Sequence, residues 1–473
     1  MSVRATIRDL ELRTRPVDPD TAAALAVRWR DLPDNSRVSG QLLGKKTTGC
    51  EATHGVFPSC NFSCKPCYHS ADANKVRVDG PHTIREITKQ MAFLREKRGW
   101  GGFAQLIGGE VSLLDPDDHA AAIQVMRNHG RAPMSFTHGD FDYEHLRAIA
   151  IDDNDEPRFP SLSFACHMDT TMMGRSGIKK PQSEAELNEF RDRFCAMFAR
   201  LKQEHGVSSY LAHNMTVTPE NISEVADVVD TCKDQGWRMF SFQPAAYIGN
   251  SARWSAGYRE LTSELVWGEV EAGAGTRLPF EAMQIGDLRC NRVTWGAWMG
   301  DTYVPLLDDT EPRDQAMAQS WIDTFPGNFI RREKGETAVR IARSLASNPK
   351  FVVDAARWAS RFAKRGGGVK QKWWEAKAVT YVMHQFIDAA DTADGWEHIL
   401  AGTRATEPRI LEAQERLEAC AYSMGHPETD QLVPACVQHG VLDAEENRQL
   451  VELLPIRAAA SSTRRLSEPS REL

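Results

Sequence analysis

Long apolar runs are missing from this sequence. No uninterrupted apolar stretch approaches the ~20 residues that a membrane-spanning helix needs. The first thirty residues carry Arg and Asp instead of the apolar core of a secretory signal. Internal repeats and low-complexity tracts are also missing, which argues against repeat arrays and collagenous chains. These absences predict a cytoplasmic globular protein without a transmembrane segment.

An excess of positive charge is missing as well. The chain has 57 Lys and Arg against 65 Asp and Glu, a formal net charge of −8. The field of the whole molecule therefore offers no attraction for nucleic acid or an anionic membrane, although a local patch can still act. With 473 residues, 41% hydrophobic and 26% charged, the chain can bury a core and form two or three domains.

Short apolar or β-branched runs alternate with longer amphipathic stretches between Ala52 and about Tyr247, a pattern typical of consecutive βα units. Helices are predicted at 183–205, where Ser183 and Glu186 form a capping box, and at 221–234. Six strands are predicted, at 53–58, 102–107, 134–137, 162–167, 210–217 and 239–245. We therefore predict an α/β fold, a partial (β/α)6 TIM-like barrel with a mainly helical C-terminal region.

The strand pattern does not return after Tyr247. Later helices are predicted at 314–324, 336–346, 350–363, 372–389, 408–422 and 444–453. We predict five segments: an N-terminal arm or cap (1–49), the barrel (50–250), an irregular connection carrying Cys290 (251–313), a helical C-terminal domain (314–455) and a disordered tail (456–473).

Ten cysteines in a chain without a secretory signal indicate reduced thiols and metal ligands instead of disulfides. Three of them stand at spacings of four and three in the sequence CNFSCKPCY at 60–68, in the loop predicted after the first strand. An iron–sulfur cubane needs four ligands, so three thiolates leave one iron open to a small chelating molecule.

A zinc knuckle or three reduced core thiols is the alternative. Zinc sites use paired CxxC halves or a CxxC with distant histidines, and a core thiol would not sit in a polar loop with Pro66. The CxxxCxxC arrangement, with an aromatic residue after the third cysteine, resembles the radical S-adenosylmethionine superfamily.

The resemblance implies that Cys60, Cys64 and Cys67 bind a 4Fe-4S cluster whose open iron is chelated by S-adenosylmethionine. It also implies one-electron cleavage of that cofactor to a 5′-deoxyadenosyl radical, and an electron donor such as flavodoxin or ferredoxin.

A second motif stands at the end of the second predicted strand. The segment Gly108-Gly109-Glu110 resembles the family's GGE motif, in which glycine lets the backbone approach the cofactor and the carboxylate lies near its ammonium group. The CxxxCxxC and GGE motifs then fall at the C-terminal ends of parallel strands, on one face of the barrel.

The resemblance places further cofactor contacts at later strand ends. Thr137 begins a Thr-His-Gly step that resembles the family's Thr-Asn-Gly; its histidine is interpreted as a buried or turn residue. Asp169 and Arg175 follow the fourth strand, as do a family Asp and Arg-x-Gly that meet the ribose or carboxylate; a helix cap and a solvated charge are the alternative. Asn214 and Gln243 stand where adenine and substrate contacts often occur, with core hydrogen bonding as the competing role.

Seven cysteines lie outside the triplet. Cys166, in a strand, and Cys195 and Cys232, on amphipathic helices, are predicted to be packing thiols. The other four lie beside Gly, Pro, Arg or His in loop-like or helix-terminal surroundings and could close a second metal site: Cys50, Cys290, Cys420 and Cys436.

The segment 420–436 resembles the C-terminal cysteine-containing segment of a radical S-adenosylmethionine branch that includes the archaeal tetraether lipid synthases. This likeness implies an auxiliary iron–sulfur cluster or mononuclear iron, with Cys290, Cys420 and Cys436 as ligands and Cys50 as a fourth. Free thiols are the alternative.

Three classes of function stay open. The first is a radical enzyme that abstracts hydrogen from a lipid-like or small-molecule substrate. The second is a peptide-modifying maturase, although such enzymes carry a denser run of cysteines than this chain. The third is a metal-binding or nucleic-acid-binding module, suggested by the basic and aromatic residues between 357 and 374. Two amphipathic helices around a glycine hinge explain that pattern without nucleic acid.

Overall fold

The computed structural model describes residue 11 and residues 14–327, 334–368 and 373–456. The predicted tail, except for residue 456, lies outside the described residues, as do residues 1–10, 12 and 13 of the predicted arm. In these described ranges, no helix combines the length and the apolar character needed to cross a bilayer.

A curled sheet of eleven strands forms the centre of the structure, in the order β10-β9-β11-β8-β7-β5-β4-β3-β1-β12-β13. The run from β11 to β12 is parallel, and β9, β10 and β13 are antiparallel additions at its two edges. The strands are β1 (Cys50–Ala52), β2 (Ser63–Cys64), β3 (Phe103–Leu106), β4 (Ala132–Thr137), β5 (Ser161–His167), β6 (Met172–Met173), β7 (Ser208–Val217), β8 (Met239–Pro244), β9 (Asn291–Met299), β10 (Thr302–Pro305), β11 (Lys377–His384), β12 (Tyr422–His426) and β13 (Gln431–Pro434).

Helices cross between the strands and cover the sheet. They are α1 (Pro19–Arg30), α2 (Gly80–Arg98), α3 (Pro116–Asn128), α4 (Tyr143–Ala150), α5 (Asn188–His205), α6 (Val225–Cys232), α7 (Ser263–Ala274), α8 (Pro312–Thr324), α9 (Lys334–Ser347), α10 (Lys350–Arg365), α11 (Ala389–Ala401), α12 (Pro408–Glu418), α13 (Ala435–Val437) and α14 (Asp443–Leu453). A π-helical turn, Gln438–Leu442, joins α13 to α14. The partial-barrel fold and the presence of a helical C-terminal region are confirmed.

Helix α5 begins differently from the prediction. Residues Glu184–Leu187 form a 3-10 turn, and the Ser183 side chain makes no capping hydrogen bond. The Glu186 carboxylate instead accepts a hydrogen bond from the Gln182 backbone amide at 2.7 Å. The apolar stripe of the helix is buried as expected, because Phe194, Phe198 and Leu201 belong to the main core.

The C-terminal region contributes strands that were not predicted. The segment 372–389, predicted as a helix, contains β11, which pairs with β8 on one side and β9 on the other. Alternating Val379, Tyr381 and Met383 are buried there, and β-branched and aromatic residues suit a strand buried between neighbours. The prediction that no strand follows residue 251 is therefore wrong, because β9 to β13 all lie beyond it. The prediction that 408–422 is helical throughout is also wrong, because α12 ends at Glu418 and β12 begins at Tyr422.

The first strand also lies earlier than predicted. β1 covers Cys50–Ala52, and residues 53–58 run on as the loop that leads to the cysteine triplet. β1 pairs with β3, the next strand of the parallel run, and with β12, which lies near the other end of the chain. The division of the chain into five domains stays a prediction.

Candidate functional site

The cysteine triplet lies in a loop beyond the C-terminal end of β1. Cys64 belongs to the short strand β2, which pairs with β6, and the Lys65 amide donates to the Thr171 carbonyl at 3.0 Å. These contacts tie the loop to the chain that follows β5. In the described part of the chain, no three His, Cys, Asp or Glu side chains stand in an arrangement that would hold a metal ion.

The environment of the three thiols still matches the ligands of an iron–sulfur cluster. Burial raises the pKa of Cys60, to about 12, and of Cys64 and Cys67, and the neighbouring thiols add to the shift at Cys60 and Cys64. A thiol that is desolvated and crowded in this way is costly to ionise alone, and bound iron would supply the missing positive charge. The donor set therefore fits the group that the motif implies.

The GGE segment packs against the same loop. The Gly109 amide donates to the Phe57 carbonyl at 2.7 Å, and the Glu110 amide donates to the Ser59 carbonyl at 2.9 Å. A Cβ at Gly109 would lie 2.0 Å from the Ser59 oxygen. These glycines thus permit close approach of the chain's own backbone just before Cys60, whereas the sequence predicted an approach to the cofactor.

Replacement of Gly109 by alanine tests this contact. Because the Cβ would meet backbone oxygens, we expect the free energy of unfolding to fall by about 1–3 kcal/mol and the cysteine loop to shift, with less iron bound after reconstitution. Gly268→Ala in α7 is the matched control, since no atom lies within 4 Å of its added Cβ. Urea unfolding and an iron assay measure both effects; equal stability of the two variants would contradict the packing argument.

Both carboxylate oxygens of Glu110 accept hydrogen bonds from groups of the protein itself. Its oxygens accept hydrogen bonds from the Thr137 hydroxyl at 2.6 Å, the His138 amide at 2.8 Å and the Ser112 amide at 2.9 Å. His138 is buried, as interpreted from the sequence, and its ring Nε2 donates to the Asn61 side-chain oxygen at 2.7 Å. Glu110 and Thr137 are therefore neighbours, and His138 links them to the cysteine loop.

Asp169 is also buried, and both of its carboxylate oxygens accept hydrogen bonds. It accepts hydrogen bonds from Thr171 and from the Thr216 amide, and its ion pair with His167 is 2.9 Å long. Burial alone would raise the pKa of Asp169, but His167 and these hydrogen bonds hold it below its ordinary value. Asp169 thus stays ionised at the strand end.

Three other predicted side chains keep a buried polar atom without a hydrogen-bond partner among the described residues: Nη1 of Arg175, Oδ1 of Asn214 and Oε1 of Gln243. The other ends of two of these groups are fixed, because Arg175 Nη2 donates to the His138 carbonyl at 2.7 Å and Gln243 Nε2 donates to Ser241 at 2.7 Å. Buried polar atoms are normally paired with a hydrogen-bond partner. These three unpartnered atoms therefore suit a polar ligand bound beyond the C-terminal ends of the parallel strands.

Sequence reasoning missed Arg253. This residue follows β8, and its positive charge opposes the rise in the pKa of all three triplet thiols. Nearby, a Cβ at Gly249 would lie 2.4 Å from the Cys67 carbonyl oxygen, which shows how closely this segment covers the loop. No local pattern marks Arg253, since it stands in the aperiodic stretch after Tyr247.

A second group of cysteines gathers around Arg416. Its Nε donates to the Cys290 sulfur at 3.1 Å. Burial lowers the pKa of Arg416, but its interactions with Cys290 and Cys436 outweigh burial and raise it above its ordinary value. Burial raises the pKa of Cys436, and nearby Cys420 and Cys290 raise it further. The Cys50 amide donates a hydrogen bond to the carbonyl of Ala421, the residue after Cys420, at 2.7 Å. This bond places the backbone of Cys50 next to that of Cys420.

The remaining cysteines lie in the interior. Cys166, Cys195 and Cys232 belong to the main hydrophobic core, as predicted for packing thiols.

No protein-family model and no curated protein matches this chain. Among solved structures, SuiB of Streptococcus suis bound to S-adenosylmethionine is 12% identical with a TM-score of 0.28 over 44% of this chain and 41% of that one. Native anSMEcpe with bound AdoMet is 15% identical with a TM-score of 0.28, covering 43% and 51%. TYW1 with a lysine-pyruvate adduct is 11% identical with a TM-score of 0.29, covering 50% and 79%. The chain spans about two fifths of the length of the SuiB structures.

Proposed function

We propose that this chain is a radical S-adenosylmethionine enzyme. The observation that carries the proposal is that Arg175, which follows β6, Asn214 of β7 and Gln243 of β8 each keep a buried polar atom without a hydrogen-bond partner among the described residues. The motif resemblance had singled out all three as cofactor contacts. Asn214 is in register with His167, the last residue of β5, and Gln243 lies one residue before the end of β8. Both therefore lie toward the C-terminal ends of the parallel strands, where α/β folds bind their ligands and where the cysteine loop follows β1.

In this proposal Cys60, Cys64 and Cys67 hold a 4Fe-4S cluster, and the residues at the neighbouring strand ends hold S-adenosylmethionine. One-electron cleavage of that cofactor to a carbon-centred radical, which takes hydrogen from a substrate, is the chemistry that such a cluster supplies when bound. An electron donor such as flavodoxin or ferredoxin would reduce it.

The chain's own residues would bind and orient the cofactor. The Arg175 guanidinium is 2% exposed and lies between the Phe62 and Phe190 rings, at 5.4 and 5.6 Å from their centroids. Its free Nη1 can donate to a carboxylate, and a charge-assisted bond of this kind is strong away from water. Asn214 and Gln243 offer acceptor oxygens to an amino group or a ribose hydroxyl.

The substrate we propose is a lipid-like or small molecule. The cysteines around Arg416 would hold an auxiliary iron–sulfur cluster or mononuclear iron, with Cys290, Cys420 and Cys436 as ligands and Cys50 as a fourth. Their clustering from three distant segments supports this assignment, and Arg416 would have to turn away from Cys290 for a metal to bind there.

The test is anaerobic reconstitution of the full chain with iron and sulfide, followed by the spin-resonance spectrum of the reduced protein. We expect bound iron and a spectrum that changes when S-adenosylmethionine is added. Bound zinc in place of iron, or an iron spectrum that does not change when S-adenosylmethionine is added, would contradict the proposal.

Arg175→Ala separates cofactor binding from cluster binding. We expect the iron content to stay at the wild-type value, while the S-adenosylmethionine concentration that changes the spectrum rises at least about tenfold, as for a lost charge-assisted hydrogen bond. Arg193→Ala is the matched control, because Arg193 is exposed and lies near the same Phe190 ring. Wild-type S-adenosylmethionine affinity in Arg175→Ala would remove this residue from the site.

A further inference from the structure

Helix α10 is fixed along one side to other described parts of the structure. On that side Arg361 and Arg365 form ion pairs with the buried Asp314, at 2.8 and 2.5 Å. The Trp358 indole donates to the Leu306 carbonyl at 2.8 Å, and its ring stacks on Phe362. The helix therefore has a defined orientation, and its opposite side has to face outward.

The outward side combines aliphatic and basic side chains. Val352 is 54% exposed and Val353 is 49% exposed. At 3.6 residues per turn, these valines share the outward side with Ala356 and Ala359, while Arg357 and Lys364 follow along one flank. Within the described residues neither Arg357 nor Lys364 forms an ion pair.

An exposed tryptophan follows the same helix in the chain. Trp374 is 81% exposed. Ala376, two residues later, packs with Phe362 of α10 against one small apolar cluster of the β9–β10 hairpin, so both segments lie on the same part of the surface. A tryptophan with one wet edge and one apolar face is the residue preferred at the boundary between lipid and water.

We propose that the outward side of α10, together with Trp374, binds the surface of an anionic lipid bilayer. The helix would lie in the plane of the bilayer, with the valines and the tryptophan among the headgroups and upper chains and the cations against lipid phosphates. The local positive charge explains how a chain of net charge −8 could approach such a surface. This inference does not depend on the radical chemistry.

The side chains on the outward side of α10 and Trp374, together called the patch, favour a bilayer over nucleic acid. Affinity for nucleic acid grows with the number of phosphates neutralised, and this side offers only two cations without an ion pair among the described residues. The exposed valines would gain nothing from a phosphate backbone, whereas they lose contact with water in a lipid interface.

Sedimentation of the full chain with vesicles tests the proposal. We expect binding to vesicles of equal parts phosphatidylcholine and phosphatidylglycerol, weaker binding to phosphatidylcholine alone, and a loss of binding as salt is raised. At about fivefold per cation near an anionic surface, Arg357→Glu with Lys364→Glu should weaken binding by at least about 25-fold. Trp374→Ser should weaken it at unchanged charge.

Matched controls lie outside the patch. Arg30→Glu and Leu400→Ser change equally exposed side chains elsewhere, and both should bind the mixed vesicles like the wild type. The proposal is overturned if the wild type does not bind the mixed vesicles at low salt, or if the controls lose as much binding as the patch variants. It is also overturned if the two cations are needed for a single-stranded oligonucleotide and not for vesicles.

Discussion

Cys64→Ala is expected to lose about four iron atoms per chain relative to the wild type, as for the loss of one 4Fe-4S cluster, and all reductive cleavage of S-adenosylmethionine. The central thiol of the triplet lies half-buried in β2, where desolvation raises its pKa and the neighbouring Cys67 and Cys60 raise it further. Without it the loop offers two thiolates, which cannot replace the third ligand. Iron and sulfide assays and the yield of cleaved cofactor measure the loss.

Cys232→Ala is the control, since Cys232 is also a free cysteine but lies buried on α6 in the hydrophobic core. It should keep both the iron and the cleavage and lose only some stability. Full cleavage by Cys64→Ala would overturn the assignment of the triplet. Iron that remains in Cys64→Ala would belong to the group around Arg416, and its loss on replacing Cys290 would identify that second site.

Glu51→Ala is expected to lower the free energy of unfolding by about 3–5 kcal/mol, the usual cost of leaving a buried cation without its partner. Glu51 lies on β1 with a fully buried side chain, and its carboxylate accepts two hydrogen bonds from Arg131, at 2.8 and 3.1 Å. Arg98 lies 3.8 Å from the same carboxylate. Removal of Glu51 would leave two guanidinium groups inside the protein without their anion.

Asp234→Ala is the control for this pair. Asp234 and Lys377 form an ion pair in which both side chains are at least half exposed, so its loss should change stability by less than about 1 kcal/mol. Urea unfolding followed by circular dichroism compares the two variants. Similar losses in both would show that the Glu51 carboxylate does not stabilise β1. Because β1 leads into the cysteine loop, we also expect Glu51→Ala to bind less iron.

Hydrophobic periodicity was enough to predict the strands and helices between β3 and β8, because these elements are specified by residues that are close together in the sequence. The βα alternation between β3 and β8 follows from hydrophobic periodicity, and the predicted strands there agree with the observed ones to within about two residues at most ends. The cysteine spacing places three thiols in one loop, and the GGE segment follows after one helix. These features depend on residues that are close in the sequence.

The strands of the C-terminal region were missed for a physical reason. β11 and β12 become strands by pairing with β8 and β1, whose residues lie far away in the chain, and the same apolar runs are compatible with a helix when read alone. Pairing across such distances leaves no short-range periodicity to detect.

The sequence by itself determined the class of chemistry to test, because the spacing of Cys60, Cys64 and Cys67 is a local property. Only the tertiary structure decided that Arg253 lies near the triplet, that Cys290 and Cys436 lie near Arg416 with Cys420 beside them, and that Glu51 is paired inside the core. Each of these contacts joins segments that are distant in the chain, so each follows from the closing of the sheet and the burial of charge, which no single segment encodes.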